Sequence, residues 1–260
     1  MCTIAILLDV VDGLPLVVAA NRDEMFARPT RPPESLGAHL AGGVDALSGG
    51  TWLAIRDDGG FAAVTNQRVL LPVPSGLRSR GLVVRELAGA ADPAAYVAGL
   101  DPAHYASMNL AWGDARGVSV AYLRRPASDG VGGAGEHVVE RLPAGIHVLC
   151  NDRIGAEGFP RGERLAAAIA RAPRDWPGMR RALIAALADH TQEEPGPLAA
   201  PAHLAPGLAR ALTATCIHSP AYGTRSSTIF AARAGATVAY DHADGPPCTT
   251  AFRDRLELLS

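Results

Sequence analysis

The sequence predicts an α+β protein built as a four-layer αββα sandwich, in which two mostly antiparallel sheets lie between two helical layers. Two observations favour this fold class. Hairpin turn signals join neighbouring strand-like segments, and the predicted elements run in the order strands, helices, strands, helices, strands. Parallel folds instead alternate strands and helices regularly. No change in composition marks a boundary, so we expect one domain over residues 1–260.

The first predicted element is a hairpin with its turn at residues 12–13, where the pair Asp-Gly is a strong two-residue turn signal. Such a loop pairs residues whose numbers sum to 25, which sets Cys2 opposite Asp23. Pro15 favours a bulge that shifts this pairing by one or two residues. Either pairing leaves the polar motif NRDE beside the start of the chain.

A second predicted hairpin repeats this arrangement. The segments GGTWLAI and FAAVTNQR flank the turn RDDGG, and the symmetry of the hairpin places Thr51 and Trp52 near Asn66. Each hairpin therefore presents a polar cluster at its open end.

The remaining elements complete the sheets and the helical layers. Helical periodicity covers residues 79–100, in which Asp92 and Pro93 begin a second helix, and returns at residues 162–170 and 179–190. The proline-rich segment 195–206 is predicted to be a surface loop. The predicted strands are residues 3–10, 14–20, 49–55, 61–68, 107–113, 118–125, 137–152, 214–219, 227–233, 236–242 and one within 248–259.

The composition excludes several classes of function. None of the 24 basic residues is lysine, which excludes a Schiff-base lysine and a phosphate-loop lysine. The net charge of -2 favours neither nucleic acid nor an anionic membrane as a partner. No signal peptide or apolar run of about 20 residues is visible, so we expect a cytoplasmic protein with no membrane span.

Two motifs resemble ligand sites but are interpreted otherwise. Residues 130–135 match the dinucleotide pattern GxGxxG, yet a strand follows them where that site requires a helix, so we interpret them as a turn. Cys216 and His218 have the spacing of a metal-binding pair, but no second pair matches them in the sequence. We therefore expect core or surface residues there, with no metal ion and no cofactor.

The cysteine at position two has three readings, which are chance, a lipid anchor and a nucleophile. A lipid anchor requires a signal peptide, so that reading fails. If Met1 is removed, the α-amine of Cys2 becomes a base with a pKa of about 7.7 to 8.0, near working pH. Asp23 on the neighbouring strand can orient the amine, and Arg22 can lower the pKa of the thiol.

Three asparagines stand at or near apolar segments, where this residue is disfavoured unless its amide makes specific contacts. They are Asn66, Asn109 and Asn151. Each one alone could be a satisfied core amide, but together with Cys2 they predict a polar pocket. Arg225 precedes an apolar strand and is either part of this pocket or a surface turn.

These motifs together resemble the NRDE family, also called transport and Golgi organization 2-like. The resemblance rests on Cys2 and the motifs NRDE at 21–24, GGTWLA at 49–54, TNQR at 65–68, SRG at 79–81, LCND at 149–152 and YGTRSST at 222–228. The family is similar to N-terminal-nucleophile hydrolases of the choloylglycine hydrolase and penicillin acylase type, which implies the αββα sandwich.

The resemblance also implies roles for individual residues. Cys2 would be the nucleophile and its amine the base, flanked by Arg22 and Asp23. Asn66 and Asn151 would match the amides that bind the oxyanion and the amine, and Arg225 would be the late arginine near the thiol. We expect six further residues to contact the substrate, namely Asn21, Glu24, Thr51, Trp52, Arg68 and Asn109, the last on our own inference alone.

Two functions from different classes follow. The first is a hydrolase that cleaves a nonpeptide amide or thioester through Cys2 and needs no cofactor. The second is a non-catalytic binding or trafficking protein for a hydrophobic anion such as haem or an acyl-coenzyme A, held by arginines. Both place a small molecule in the polar pocket, and the residues favour the hydrolase.

Overall fold

The computed structural model describes residues 2–68, 73–126, 135–195 and 205–260, and these residues form two antiparallel sheets and five α-helices. The strands are β1 (Cys2–Val11), β2 (Leu14–Met25), β3 (Thr30–Gly37), β4 (Leu40–Asp45), β5 (Leu53–Arg56), β6 (Phe61–Asn66), β7 (Met108–Asp114), β8 (Gly117–Arg124), β9 (Glu136–Arg141), β10 (Gly145–Leu149), β11 (Tyr222–Arg233), β12 (Ala236–Ala243) and β13 (Arg253–Asp254). The helices are α1 (Arg80–Ala88), α2 (Pro93–Ala98), α3 (Pro160–Ala170), α4 (Trp176–Leu187) and α5 (Pro206–Ala211).

The layers follow from how these elements pack. The first sheet has the strand order β10-β1-β2-β11-β12-β13, and the second follows the chain from β3 to β9. Helices α3 and α4 pack on the first sheet, whereas α1 packs on the second sheet and α2 packs on α1. The predicted αββα sandwich is therefore confirmed. Within the described ranges, every helix is too short or too polar to cross a membrane.

Strand β1 illustrates why the inner sheets have nearly continuous apolar sequences. Successive side chains of a strand face opposite sides of the sheet. Ile4, Ile6 and Leu8 belong to the core between the two sheets, whereas Ala5 and Leu7 belong to the core beneath α3 and α4. Because both faces of β1 are buried, apolar residues fill both sets of positions, as in other sheets covered on both sides.

The register of the first hairpin differs by one residue from the pairing that the turn predicts. Cys2 lies opposite Arg22, not opposite Asp23. The cause is a bulge in β1 between Leu8 and Val11, whose extra residue shifts every pair nearer the open end. The expected shift of register is thus present, and the extra residue of β1 lies opposite Pro15, the residue that predicted a bulge.

The hairpin formed by β3 and β4 is absent from the predicted elements. Its first strand contains Pro32 and Pro33, which read as a loop because proline cannot donate a hydrogen bond to a sheet. Strand β3 lies at the edge of the second sheet, where one side of the strand has no neighbour. The prolines are tolerated there, and the sheet gains two strands.

The predicted helices are confirmed as α1 to α4, with starts that differ by a few residues. Asp92 begins α2 as expected, since its side chain accepts a hydrogen bond of 3.0 Å from the main-chain N–H of Ala95. The predicted strand at 214–219 is wrong, because this segment forms only a single bridge between His218 and Gly223. The predicted last strand is reduced to the two residues of β13, followed by a 3-10 turn.

Two predicted features lie mostly outside the described residues. They are the glycine motif at 130–135, of which the last residue alone is described, and the central part of the proline-rich loop at 195–206. Helix α5, which the sequence reading did not identify, begins at the last residue of that loop.

Candidate active site

A cavity of about 490 Å³ opens where the ends of β1, β2 and β6 meet the start of α1. Residues from both predicted hairpins line it together. The predicted site residues among its lining are Cys2, Arg22, Asp23, Glu24, Thr51, Trp52 and Asn66. Its apolar wall consists of Trp52, Val64, Val73, Leu77 and Ala106.

Cys2 lies on the face of β1 that points to the second sheet, and 8% of its surface is exposed. Burial raises the pKa of its thiol, and the negative charge of Asp23 adds to this effect. The charge of Arg22 and a hydrogen bond from the main-chain N–H of Asp23 act in the opposite direction. Because the net shift is upward, this thiol needs a base beside it to react as a thiolate near neutral pH.

Asp23 lies on the opposite face of β2, beneath the first helical layer. Its Oδ1 accepts a hydrogen bond of 2.7 Å from the hydroxyl of Thr224, which pairs with Asp23 in the sheet. Its Oδ2 lies 3.9 Å from Nη1 of Arg161. Burial raises the pKa of the carboxyl, whereas the charge of Arg161 lowers it. The burial effect is the larger of the two.

Arg161 of α3 connects Asp23 to the asparagines that the sequence singled out. Its Nη2 donates a hydrogen bond of 2.5 Å to Oδ1 of Asn151, and Nδ2 of Asn151 donates one of 2.8 Å to the main-chain oxygen of Asn66. Asn151 is buried and stands behind the cavity lining, while Asn66 is part of it. A continuous set of polar contacts therefore links Asp23 to Asn66.

Arg80 also lines the cavity, although the sequence reading did not select it. A Cβ atom on Gly50 would lie 2.3 Å from the main-chain carbon of Gly81, so the loop before β5 and the start of α1 touch through their glycines. The main-chain N–H of Thr51 donates to the oxygen of Gly81 at 3.0 Å. This contact fixes Arg80, which donates to the oxygen of Ser107. The SRG motif was the sequence signal for it.

Arginines give the cavity a surplus of positive charge. Among the described lining residues, Arg22, Arg28, Arg78 and Arg80 stand with three carboxylates, those of Asp23, Glu24 and Asp45. Because Arg161 already compensates Asp23 from behind the cavity, the positive charge in front of it predominates. The cavity is thus suited to a ligand with an acidic group.

Asn21 is not part of the cavity lining, which corrects its assignment as a substrate-binding residue. Its Nδ2 donates to the main-chain oxygens of Leu187 and Thr215, both at 2.9 Å, and Ser227 donates to its Oδ1. Alternation along β2 directs Asn21 towards the helical layer, away from Arg22. Its amide stabilises the connection between the first sheet and the segments beside α4.

Asn109 and Arg68 also lie outside the lining formed by the described residues. Asn109 is fully buried, accepts a hydrogen bond from Gln67 and donates to Thr65 Oγ1 at 2.9 Å. Arg68 lies over the ring of Phe159 and forms an ion pair with Asp152. Both therefore support the walls of the site, and neither is placed to contact a ligand in the cavity.

Arg225 was expected near the thiol, and the structure places it elsewhere. It occupies a bulge of β11, between the residues paired with Asp23 and Arg22, and a bulge redirects its side chain. Its Nη1 donates to the main-chain oxygen of Phe26 at 2.7 Å, and its guanidinium lies over the Phe26 ring. It is absent from the cavity lining.

Away from the cavity, the structure brings Cys216 and His218 beside a second pair of possible ligands that the sequence did not indicate. His190 and Cys248 lie beside them, and one ligand atom from each of the four residues lies within 4.8 Å of the other three. The sequence separation of these residues left no spacing pattern by which the full set could be recognised.

The fold is shared with two solved structures of the N-terminal-nucleophile hydrolase type. The structure of penicillin V acylase from Agrobacterium tumefaciens matches with a TM-score of 0.57 and 11% identity, over 100% of this chain and 88% of the acylase. The Caenorhabditis elegans ortholog of N-acylethanolamine-hydrolyzing acid amidase matches with a TM-score of 0.50 and 11% identity, over 88% of this chain and 92% of the amidase. At these identities the likeness establishes the fold.

The chain belongs to the family described as Transport and Golgi organisation 2, whose family model matches residues 1–241. The Transport and Golgi organization protein 2 homolog of Bos taurus is 30% identical over 234 residues, and that of Homo sapiens is 30% identical over 242 residues. Each comparison covers 82% of this chain and 80% of the relative. The family resemblance drawn from the motifs is therefore confirmed.

Proposed function

We propose that the protein is an N-terminal-cysteine hydrolase that cleaves an amide or thioester bond of a nonpeptide acyl compound. The observation that carries the proposal is Cys2 at the end of a buried strand, in a cavity that it shares with Arg22 and Asn66. The fold supports the proposal, because the two solved structures compared above are an acylase and an amidase. It does so by analogy of fold alone.

The first half of the reaction forms an acyl-enzyme. After removal of Met1, the α-amine of Cys2 accepts the thiol proton, and Sγ bonds to the acyl carbonyl carbon. The amide of Asn66 donates a hydrogen bond to the oxyanion that develops. When the carbonyl re-forms, the carbon–nitrogen or carbon–sulfur bond of the substrate breaks, and the leaving group takes the proton from the α-ammonium.

The second half releases the acid. Water loses a proton to the α-amine and attacks the thioester carbon, and Sγ leaves and is reprotonated by the α-ammonium. Asn151 and Arg161 act as positioning residues in this scheme, because their hydrogen bonds hold the main chain of Asn66. Asp23 lies next to Arg22, which pairs with Cys2, and its carboxylate orients the amine.

The proposal is tested first by the intact mass of the untagged protein expressed with its native start. A mass lower by one methionine leaves the α-amine of Cys2 free. The protein is then incubated with acyl donors of short, medium and long chain, as thioesters and anilides. We expect a covalent acyl adduct that peptide mapping assigns to Cys2, and turnover that Cys2→Ala abolishes while the circular dichroism spectrum is unchanged. Retained Met1, or full turnover by Cys2→Ala, would contradict the mechanism.

A second function, the non-catalytic binding of a hydrophobic anion, is favoured by the arginines of the cavity. Arg22, Arg78 and Arg80 stand near the apolar side chains of Trp52 and Leu77. This function predicts stoichiometric binding of haem or a long-chain acyl-coenzyme A with no product formed. Haem titration distinguishes the two: a Soret band that shifts in Cys2→Ala favours the carrier, and steady product release from a thioester favours the hydrolase.

A further inference from the structure

Two cysteines and two histidines form a cluster on the flank of the first sheet, outside the cavity. They come from three segments that are distant in sequence. His190 follows the end of α4, Cys216 and His218 precede β11, and Cys248 lies in the loop after β12. Cys216 is buried, and the other three residues are exposed. The cluster can therefore exchange an ion with solvent.

The distances among three of the four ligand atoms fit a tetrahedral metal ion. The Sγ atoms of Cys216 and Cys248 lie 3.8 Å apart, and Nε2 of His218 lies 3.6 Å from the first and 3.3 Å from the second. A tetrahedral zinc ion has Zn–S bonds of about 2.3 Å and Zn–N bonds of about 2.0 Å, which separates its ligand atoms by about 3.3 to 3.8 Å. The three measured separations agree with this range.

His190 has the hydrogen bond expected of a metal ligand. Its Nδ1 lies 3.3 Å from the main-chain oxygen of Cys216. Because a carbonyl oxygen only accepts hydrogen bonds, Nδ1 carries the proton and Nε2 retains its lone pair. Histidines that bind metals commonly donate their second N–H in this way to a carbonyl oxygen. The ring of His190 lies 4.9 Å from that of His218, centroid to centroid.

The main chain holds the ligands in place. The N–H of Cys216 donates to the oxygen of Asp189 at 2.8 Å, and His218 forms a β-bridge with Gly223. The turn that carries Cys248 is closed by a hydrogen bond of 2.9 Å from Thr250 N–H to the oxygen of Pro246. Each segment is thus fixed by contacts of its own, independent of any ion.

We propose that His190, Cys216, His218 and Cys248 form a binding site for one tetrahedral divalent metal ion, with zinc as the preferred ion. Binding exchanges the protons of two thiols for the ion, which gives a neutral complex of two thiolates, two imidazoles and Zn²⁺. Four protein ligands leave no open position, so the site is structural and not catalytic.

The metal site would also act on the candidate active site through one intervening residue. Ile217, between the two ligands Cys216 and His218, exchanges hydrogen bonds with Thr224: its N–H donates to Oγ1 and its oxygen accepts from the N–H of Thr224, both at 2.9 Å. The same Oγ1 donates to Asp23. An ion bound by the cluster would therefore add a further restraint to the segment that contacts Thr224, the hydrogen-bond partner of Asp23.

A disulfide between Cys216 and Cys248 is the competing occupant of the same residues. Its sulfur atoms would have to approach from 3.8 Å to about 2.05 Å, and it would give the two histidines no role. The metal and the disulfide exclude each other, because a disulfide has no thiolates to offer. The test is therefore made under reducing conditions and also on protein as purified.

The experiment uses the full chain without a polyhistidine tag. After treatment with a chelator and a reductant, Co²⁺ is titrated into the protein, followed by Zn²⁺. We expect one Co²⁺ per chain, with the visible bands of a tetrahedral ion and a near-ultraviolet thiolate-to-cobalt band, and displacement by Zn²⁺. No thiolate band, or a protein as purified that lacks metal and whose mass is lower by two hydrogens, would overturn the proposal.

Single substitutions test which residues bind the metal ion. Outer-shell hydrogen bonds alone change metal affinity by about 10- to 100-fold, so loss of a ligand in Cys248→Ser or His190→Ala should weaken Zn²⁺ binding by at least about 100-fold. Both substitutions are at exposed positions, so the fold should persist. His104→Ala removes an exposed histidine elsewhere and should leave affinity unchanged. Equal affinity in all three variants would overturn the assignment.

Discussion

The two faces of β2 near its end use their polar side chains in opposite ways. Arg22 lies on the face towards the cavity, beside Cys2, where a ligand has access. Asn21 and Asp23 lie on the face towards the helices, where other protein groups bind their side chains, although Asp23 also contributes to the cavity lining. A strand alternates its side chains with a period of two residues. One motif of four residues therefore supplies both the lining of the site and the buried network that supports it.

This alternation explains why the NRDE motif is continuous in sequence although some of its residues line the cavity and others support the fold. The supporting residues hold β2 against α3 and the segment after α4, and the lining residues depend on that position. Substitutions on the helical face should therefore change stability, whereas substitutions on the cavity face should change reactivity.

The largest effect is expected for Arg161→Met. The substitution leaves the Asp23 carboxylate in a buried position without its cationic partner and removes a hydrogen bond to Asn151. Breaking a buried ion pair from one side costs about 3 to 5 kcal/mol of unfolding free energy, which urea denaturation measures. Arg171→Met, at an exposed position at the end of the same helix, is the control and should cost less than about 0.5 kcal/mol. If both variants lost a similarly small amount of unfolding free energy, the contact between Asp23 and Arg161 would not support the fold.

A smaller effect, on reactivity, is expected for Arg22→Gln. The charge of Arg22 lowers the pKa of the Cys2 thiol, so its removal should slow alkylation of Cys2 by iodoacetamide several-fold at a fixed pH. Peptide mapping separates the Cys2 adduct from those of the other cysteines. Arg116→Gln, which replaces a side chain that is 86% exposed, should leave the rate unchanged. An unchanged alkylation rate in Arg22→Gln would mean that the charge of Arg22 does not lower the pKa of the Cys2 thiol.

The smallest effect is a pH dependence that Asp23 contributes to stability. Burial raises the pKa of Asp23, so the native state binds this proton more tightly than the unfolded state. The resulting stability is fully present below the usual carboxyl pKa of about 3.9 and is lost as pH rises through the native pKa. The unfolding free energy of the wild type should thus fall relative to Asp23→Asn over this window in urea titrations. If the unfolding free energy of the wild type instead rose relative to that of Asp23→Asn, the native pKa of Asp23 would be lowered and not raised.

Much of the fold could be predicted, because its signals are local. Turn residues, apolar periodicity and the Asp92 cap each act over a few residues, and they give the sandwich and four of the helices. The hairpin of β3 and β4 could not be predicted, since its prolines are acceptable only at a sheet edge, and the edge position is set by the other strands. The one-residue shift of register was predicted in part, because Pro15 indicated a bulge in this hairpin but did not show that the extra residue would lie in β1.

The residues of the candidate site also divide into those that local sequence motifs predict and those that they do not. The sequence predicted that Cys2, Arg22, Asp23 and Asn66 lie together, because short motifs at strand ends carry them, and all four line the cavity. Arg161, His190 and Cys248 were not predicted, and Cys216 and His218 were set aside as a metal pair, because contacts between distant segments bring these residues to their partners. Arg225 was misplaced since a bulge redirects its side chain, and a bulge is visible only when both strands are known.

The two glycines before β5, Gly49 and Gly50, should respond differently to random mutagenesis. Gly49 has a φ of 71° with open space around it, whereas Gly50 has no room for a Cβ atom against Gly81. In a selected library, asparagine should survive at position 49, because this residue adopts the left-handed conformation at little cost. Position 50 should admit no other residue at all. Adjacent and chemically identical residues would thus show different substitution profiles, one set by backbone conformation and the other by contact across the wall of the cavity.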